Sequence, residues 1–320
     1  MTEMKMINRR DCCLFAASAL ATGMAMAGPD LATMSPRASE QQLPFGRLER
    51  WSAFPSRFVP ARPVEVWLPP AYDGRRPHAV LYMHDGQMLF DARSTWNGQA
   101  WCVDQIAAPL IAAGELRDFI VVGIWNRPEH RHAEFFPQAY AEALRDSPVA
   151  QRYRAERLKS EPLSDAYLRF IVEELKPAVD ARYATERGRD ATFLMGSSMG
   201  GMISVYGLCE YPQVFSAAAA LSTHWIGGHE RNAEIPAAAQ AYLRRKLPPP
   251  GLCRLYMDRG TLELDALYDQ AQAQVDALML ELGHKPPLVV SQVFEAQGHN
   301  ERAWSSRLAQ PLRFLLEHRG

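Results

Sequence analysis

The segment Gly196-Ser197-Ser198-Met199-Gly200 follows the apolar run Ala191 to Met195 and precedes a helical pattern that starts at Gly200. Gly-x-Ser-x-Gly in a strand-turn-helix context is the setting for a nucleophilic serine. The sharp turn strains the serine backbone, and the flanking glycines let strand and helix approach closely. Ser198 Oγ then stands above the sheet, and the N–H of Met199 points to where a tetrahedral oxyanion forms. Ser197 faces the other way and is assigned to packing. A serine hydroxyl needs a base, and in this chain order the acid comes next and the histidine last. Three histidines fall in the final strand-and-helix region. His284 precedes Pro286-Pro287 in a polar turn and reads as a surface residue, and His318 is third from the end, where termini fray. His299 follows the turn Ala296-Gln297-Gly298 and is the expected general base and acid. For the orienting carboxylate, Asp258 ends a strand and suits a structural role. Glu263 and Asp265 both lie in the loop beyond it, and Asp265 also reads as a helix N-cap. Residues alone leave those two open. At His84-Asp85-Gly86-Gln87, a glycine turn closing a strand, the N–H of Gln87 is the expected second oxyanion donor.

Positioning such groups needs strands that end on one side of a sheet. Apolar runs of strand length alternate with helical patterns, which predicts an α/β fold with a largely parallel, buried sheet. The strands are expected at 64–68, 79–84, 119–125, 191–196, 216–221, 253–258 and 288–295. Helices are expected at 165–179, 200–210, 237–247, 265–282 and 301–317. In 265–282, Leu264, Leu267, Tyr268, Ala271, Val275, Leu278 and Leu282 recur at three- and four-residue steps, and Gly283 supplies a stop. Two polar insertions, 126–157 and 225–236, break the rhythm, and insertions of this kind sit at strand carboxyl ends, where ligands bind. Trp125, Trp225 and His224 each follow a strand and are the expected substrate-binding residues. Ser222 and Thr223 share the position of His224. The aromatic set Trp96, Trp101 and Trp304 is assigned mainly to packing.

The 320 residues carry 35 basic and 36 acidic side chains, a formal charge of -1. That leaves no electrostatic footprint for nucleic acid. At the amino end, Asn8-Arg9-Arg10-Asp11 opens an uncharged, Ala-rich stretch that runs to the small-residue site Ala25-Met26-Ala27. Residues 1–27 therefore read as an export signal, the Arg pair permitting a twin-arginine route, and the destination as periplasmic or secreted. The apolar stretch falls short of the about 20 strongly apolar residues of a comfortable span, so no stable membrane anchor is expected. Residues 28–44 read as a flexible leader and 45–320 as one domain. Cys12 and Cys13 leave with the signal. Cys209 and Cys253 read as packing thiols, and pairing among them and Cys102 is left open. His130-Arg131-His132 lacks a second ligand group at metal spacing and reads as a solvated loop, so neither metal nor cofactor is expected. Glu301 and Arg307 are assigned salt-bridging structural roles.

Taken together, 81–91, Gly123-Ile124-Trp125-Asn126, 131–137, Gly196 to Gly201, Gly260-Thr261 with Asp265-Ala266-Leu267-Tyr268, and Gly298-His299-Asn300-Glu301 with Trp304 carry a family likeness. The chain from about Arg47 onward resembles the putative-esterase branch of the α/β-hydrolase superfamily. That branch includes enterochelin-type and feruloyl esterases, S-formylglutathione hydrolases and mycolyltransferases. The resemblance implies helices on both faces of the sheet, a Ser-Asp/Glu-His hydrolase with an oxyanion hole from Met199 and Gln87, and a small-molecule ester substrate. It favours Asp265 over Glu263, because the branch reading Gly-Thr-x-x-Leu-Asp-x-x-Tyr carries its acid there. An acyltransferase would use the same triad with an alcohol in place of water. A non-catalytic binder on this scaffold is disfavoured, because no triad member is missing.

Overall fold

A computed structural model describes residues 35–317. The expected signal, residues 28–34 of the leader and His318 lie outside that range. Nine strands form one sheet in the order β1-β2-β3-β5-β4-β6-β7-β8-β9. They are β1 Arg37–Ala38, β2 Arg47–Phe54, β3 Arg62–Leu68, β4 Ala79–His84, β5 Phe119–Ile124, β6 Thr192–Ser197, β7 Ala217–Leu221, β8 Arg254–Arg259 and β9 Val289–Val293. The first three and β5 pair antiparallel, whereas β5, β4, β6, β7, β8 and β9 run parallel. The helices are α1 Val103–Ala112, α2 Arg131–Phe135, α3 Gln138–Ala143, α4 Pro148–Tyr153, α5 Ser164–Arg169, α6 Lys176–Arg182, α7 Met199–Glu210, α8 Glu234–Lys246, α9 Asp269–Glu281, α10 Glu301–Arg307 and α11 Ala309–Leu316.

Period-two alternation along the buried strands gives the sheet two apolar faces. On one, Val80, Tyr82, Leu194 and Ala220 pack with Met202 and Ile203 of α7, Leu243 of α8 and Val275 of α9. On the other, Leu81, Met83, Phe193 and Met195 pack with Val103 and Ala107 of α1 and Leu312 and Leu315 of α11. This is the expected α/β-hydrolase layering. Cys102, Cys209 and Cys253 are all free thiols, the last two buried.

Several elements differ from the sequence reading, each for a physical reason. Strand β2 was not expected, because the β-bulge between Trp51 and Phe54 puts both on one face although they are an odd number apart. Within the expected leader, Arg37–Ala38 pair with β2 at the sheet edge. The final helix is two, because Pro311 has no N–H to bond back to Arg307. Residues 263–267 form a 3-10 turn ahead of α9, which Gly283 ends at φ 85° as expected. His130-Arg131-His132 is not a solvated loop but opens α2, within the insertion 126–157. That insertion folds as α2, α3 and α4, and the buried pair of Arg62 and Glu134, at 2.5 Å, ties α2 to β3. His284 is buried, 4% exposed, and not a surface residue.

Candidate active site

Ser198 sits between the end of β6 and the first turn of α7 with φ 56° and ψ -122°. For a residue with a Cβ that backbone is strained, and its neighbours hold it. The Ser198 N–H donates to Leu221 O at 2.9 Å, and its carbonyl accepts from the N–H groups of Met202 and His224. A Cβ on Gly196 would come within 2.6 Å of the Gly200 backbone, so only glycine permits this approach of strand and helix. Ser197, expected to face away, is 6% exposed and helps floor the cleft into which Ser198 opens.

His299 approaches from the loop after β9. Its Nδ1 lies 2.6 Å from Asp265 Oδ1, and its ring stands edge-on to Tyr268 and Trp304, with centroids 5.7 and 5.1 Å away. Asp265 is fully buried in the 3-10 turn. Its second oxygen accepts from Ser222 Oγ at 2.6 Å and Gly260 N at 2.5 Å. It is not the cap of α9, whose N-cap position is Tyr268. Glu263 is exposed, with φ 54°. It accepts from the backbone N–H of His299 at 2.7 Å and from Asn300 Nδ2, not from the imidazole. Glu263 therefore braces the loop while Asp265 meets the ring.

Gln87 lies in a one-turn 3-10 helix after β4, preceded by Asp85 at φ 56°. Two features fix this turn. Arg131 grips Asp85 in a fork of 2.8 and 2.7 Å, with Asn126 Nδ2 at 2.6 Å, and a Cβ on Gly86 would come within 2.5 Å of the Gly123 backbone. Met199, Gln87, Ser198, His224 and His299 all line one cleft of about 840 Å³. Trp96, Trp101 and Trp304 line it too, Trp96 being 84% exposed.

Trp125 and Trp225 do not line it, which corrects the expected substrate-binding set. Trp225 is fully buried and donates to Gln272 Oε1 at 2.8 Å. Trp125, one residue past β5, donates to Glu65 Oε2 at 3.1 Å and lies under the Arg50 guanidinium. Position after a strand was the signal for both, but a single residue's direction at a strand end is not legible from its place in the chain. Ser222 and Thr223 are buried as well and bond to Asp265 and Ala220 O. Tyr268 was not singled out as a site residue. Its hydroxyl meets His224 Nδ1, and burial, opposed by a hydrogen bond with the Ser198 side chain, pushes its pKa well up. Among the described residues, no His, Cys, Asp and Glu side chains gather as a metal site, and no helix is long and apolar enough to cross a membrane.

His84 closes β4 beneath this site, with Nδ1 2.8 Å from Tyr167 Oη and the ring edge-on to Phe135. Burial lowers its pKa to about 4, from an ordinary value of 6.5, with Asp85 opposing and Arg131 assisting. The unfolded chain takes up this proton below about pH 6.5 and the folded one only near 4, so stability falls as pH falls through that window. At pH 5 the loss from this residue is about 2 kcal/mol. Urea unfolding at pH 7.5 and 5.0 should show wild type losing more stability than His84→Gln by roughly that amount. Equal losses would remove His84 from the acid response.

A mostly parallel sheet with antiparallel leading strands, helices on both faces and a serine elbow at the end of β6 defines an α/β-hydrolase. Residues 57–315 match the family described as Putative esterase, and the chain belongs to that family of carboxylic ester hydrolases. Over 202 residues it is 22% identical to the Bacillus subtilis (strain 168) protein described as Uncharacterized protein YbbA, a match covering 62% of this chain and 67% of that one. Its fold is similar to that of the enterobactin esterase FES from Shigella flexneri, solved with 2,3-di-hydroxy-N-benzoyl-serine, at a TM-score of 0.61 and 18% identity. That likeness covers 88% of this chain, which spans only 60% of the Shigella chain. A CE1 ferulic acid esterase from Anaeromyces mucronatus, solved with ferulic acid, is similar at a TM-score of 0.59 and 16% identity, covering 89% of this chain and 94% of that one.

Proposed function

We propose that this esterase cleaves a small-molecule ester by acyl transfer to Ser198 and then to water, with His299 carrying the proton and Asp265 orienting His299. The hydrogen bond of 2.6 Å between His299 Nδ1 and the buried Asp265, beside the Ser198 elbow, carries the reading. A carboxylate only accepts, so the shared proton sits on Nδ1 and the lone pair on Nε2 is free to take the Ser198 proton. Oγ attacks the ester carbonyl, and the N–H groups of Met199 and Gln87 receive the developing oxyanion. His299 then protonates the departing alcohol. Water repeats the sequence on the acyl-enzyme, with the proton passing through Nε2 again. Each oxyanion donor of this kind lowers the barrier by about 3 kcal/mol in other hydrolases. His224, buried in the cleft wall and hydrogen-bonded to Tyr268, is the remaining substrate-side residue of the set. Relatives solved with enterobactin-type and ferulic ligands support a small ester.

Export belongs to the same proposal, on the strength of residues 1–27. A fluorophosphonate should add one equivalent to the active protein, on the Ser198 peptide, and abolish hydrolysis of 4-nitrophenyl esters. The intact mass of the labelled protein recovered outside the cytoplasm should also show Gly28 as its first residue. Labelling that persists in Ser198→Ala overturns the nucleophile, and a full-length mass in that fraction overturns the cleavage site.

A further inference from the structure

The cleft around Ser198 is electrically lopsided in a chain whose overall charge is -1. Two carboxylates line it, and both are occupied. Asp85 is held by Arg131, and Glu301 accepts from Asn97 Nδ2 at 2.6 Å. On the side built from α2, the segment after α4 and the loop after β7, the lining includes His132, Arg157 and His229. The nearby arginines each have a carboxylate: Arg127 has Glu129, Arg131 has Asp85, Arg152 has Glu230 and Arg154 has Glu161. Arg157 makes no such pair among the described residues, and it is exposed where it lines the cleft. The local field registers on His132. Partial burial, then Arg131, Arg157, His229 and Lys159, hold its imidazole down to about 4, so it is neutral at pH 7.

A guanidinium that faces a substrate cleft without a carboxylate has its hydrogen-bonding fork available, and that fork fits a carboxylate with two parallel bonds. We propose that the esters this cleft favours carry a second, anionic group, a carboxylate on the acyl or the alcohol portion, bound by Arg157 with His132 and His229 beside it. The inference rests on the reading of this cleft as the ester site and names the substrate class for it. A carboxylate placed there needs no help from the net charge of the protein, because the partner is local and screening acts over about 10 Å at 0.1 M salt.

Two matched pairs of esters test it with the intact protein. On the acyl side, mono-4-nitrophenyl succinate is compared with 4-nitrophenyl butyrate. On the alcohol side, 4-acetoxybenzoate is compared with its methyl ester. For wild type, kcat/KM should favour the anionic member by about tenfold or more in at least one pair, and the preference should shrink in 0.5 M NaCl. Arg157→Gln should lower that anionic-to-neutral ratio by about tenfold, while Arg152→Gln, which removes an equal charge outside the cleft lining, should keep it. Ratios near one in both pairs, or a preference that Arg157→Gln retains, overturn the proposal and leave the esterase reading standing. Hydrolysis of none of the four esters overturns the ester reading itself.

Discussion

Asp265→Asn should lower kcat by about 10³- to 10⁴-fold while leaving KM within a few-fold, and Glu263→Gln should lower kcat by no more than about tenfold. The asymmetry follows from which atom each carboxylate touches. Asp265 Oδ1 meets His299 Nδ1, so replacing it by an amide offers the ring a donor where an acceptor stood and favours the tautomer whose Nε2 carries the proton. That tautomer cannot take a proton from Ser198. Glu263 meets only the backbone N–H of His299 and the Asn300 side chain, and a glutamine oxygen can still accept both. The burial of Asp265 makes the change sharper, because Ser222 Oγ and Gly260 N–H are set to donate to the other oxygen and tolerate no second donor there. Steady-state kinetics on an aryl ester for the two variants decides it. An Asp265→Asn enzyme within tenfold of wild type would sink the assignment, and a Glu263→Gln enzyme that loses 10³ would move the role to Glu263.

The same pair of residues shows how far the sequence could be read. Motif spacing located the serine, because strand, turn and helix are local and Gly-x-Ser-x-Gly has a steric cause. It also narrowed the histidine, since the position after the last strand is a matter of chain order. Between Glu263 and Asp265 residue types were silent, and only family likeness favoured Asp265. The choice depends on how residues 263–267 coil, and they form a 3-10 turn that buries Asp265 and turns Glu263 outward at φ 54°. Parallel core strands were legible to within a residue or two, apart from the ends of β9, as uninterrupted apolar runs. The antiparallel edge was not, because β1 has two residues and β2 is bulged. The insertion 126–157 looked polar because it is dense in charge, yet Arg127, Arg131, Arg152 and Arg154 each meet a carboxylate within the fold, and a sequence does not show who pairs with whom. For that reason His130-Arg131-His132, taken as a solvated loop, turned out to fix the turn that carries Gln87 through Arg131. Trp125 and Trp225 failed in the opposite sense, since aromatic size suggested a pocket while each ring had a polar partner away from it.

Behind Asp265 a buried chain of polar groups runs to Asp258, and cutting it should cost the fold most. Arg307 reaches Asp258 with Nε at 3.2 Å and Nη2 at 3.0 Å, and the same Nη2 lies 2.9 Å from Ser222 Oγ, whose hydroxyl donates on to Asp265. Trp304 Nε1 is a second donor to Ser222, at 2.9 Å. Arg307 and Asp258 are 3% and 0% exposed. Burial pushes the Asp258 carboxyl up to about 6 even against this guanidinium. Arg307→Met therefore strands a buried acid and should destabilise the protein by about 3–5 kcal/mol at pH 7.5. Without the cation the carboxyl pKa climbs further, so at pH 5.5 Asp258 is protonated in the folded variant and the loss relative to wild type should shrink. Asp258→Asn/Arg307→Met should recover part of the loss at pH 7.5, because no charge is then left unpaired. Urea midpoints of the three proteins at both pH values measure all of this. If Arg307→Met fails to fold, the double variant still reads the coupling. A single variant within about 1 kcal/mol of wild type would mean that the pair is solvated in solution, and that Ser222 holds Asp265 through Trp304 alone.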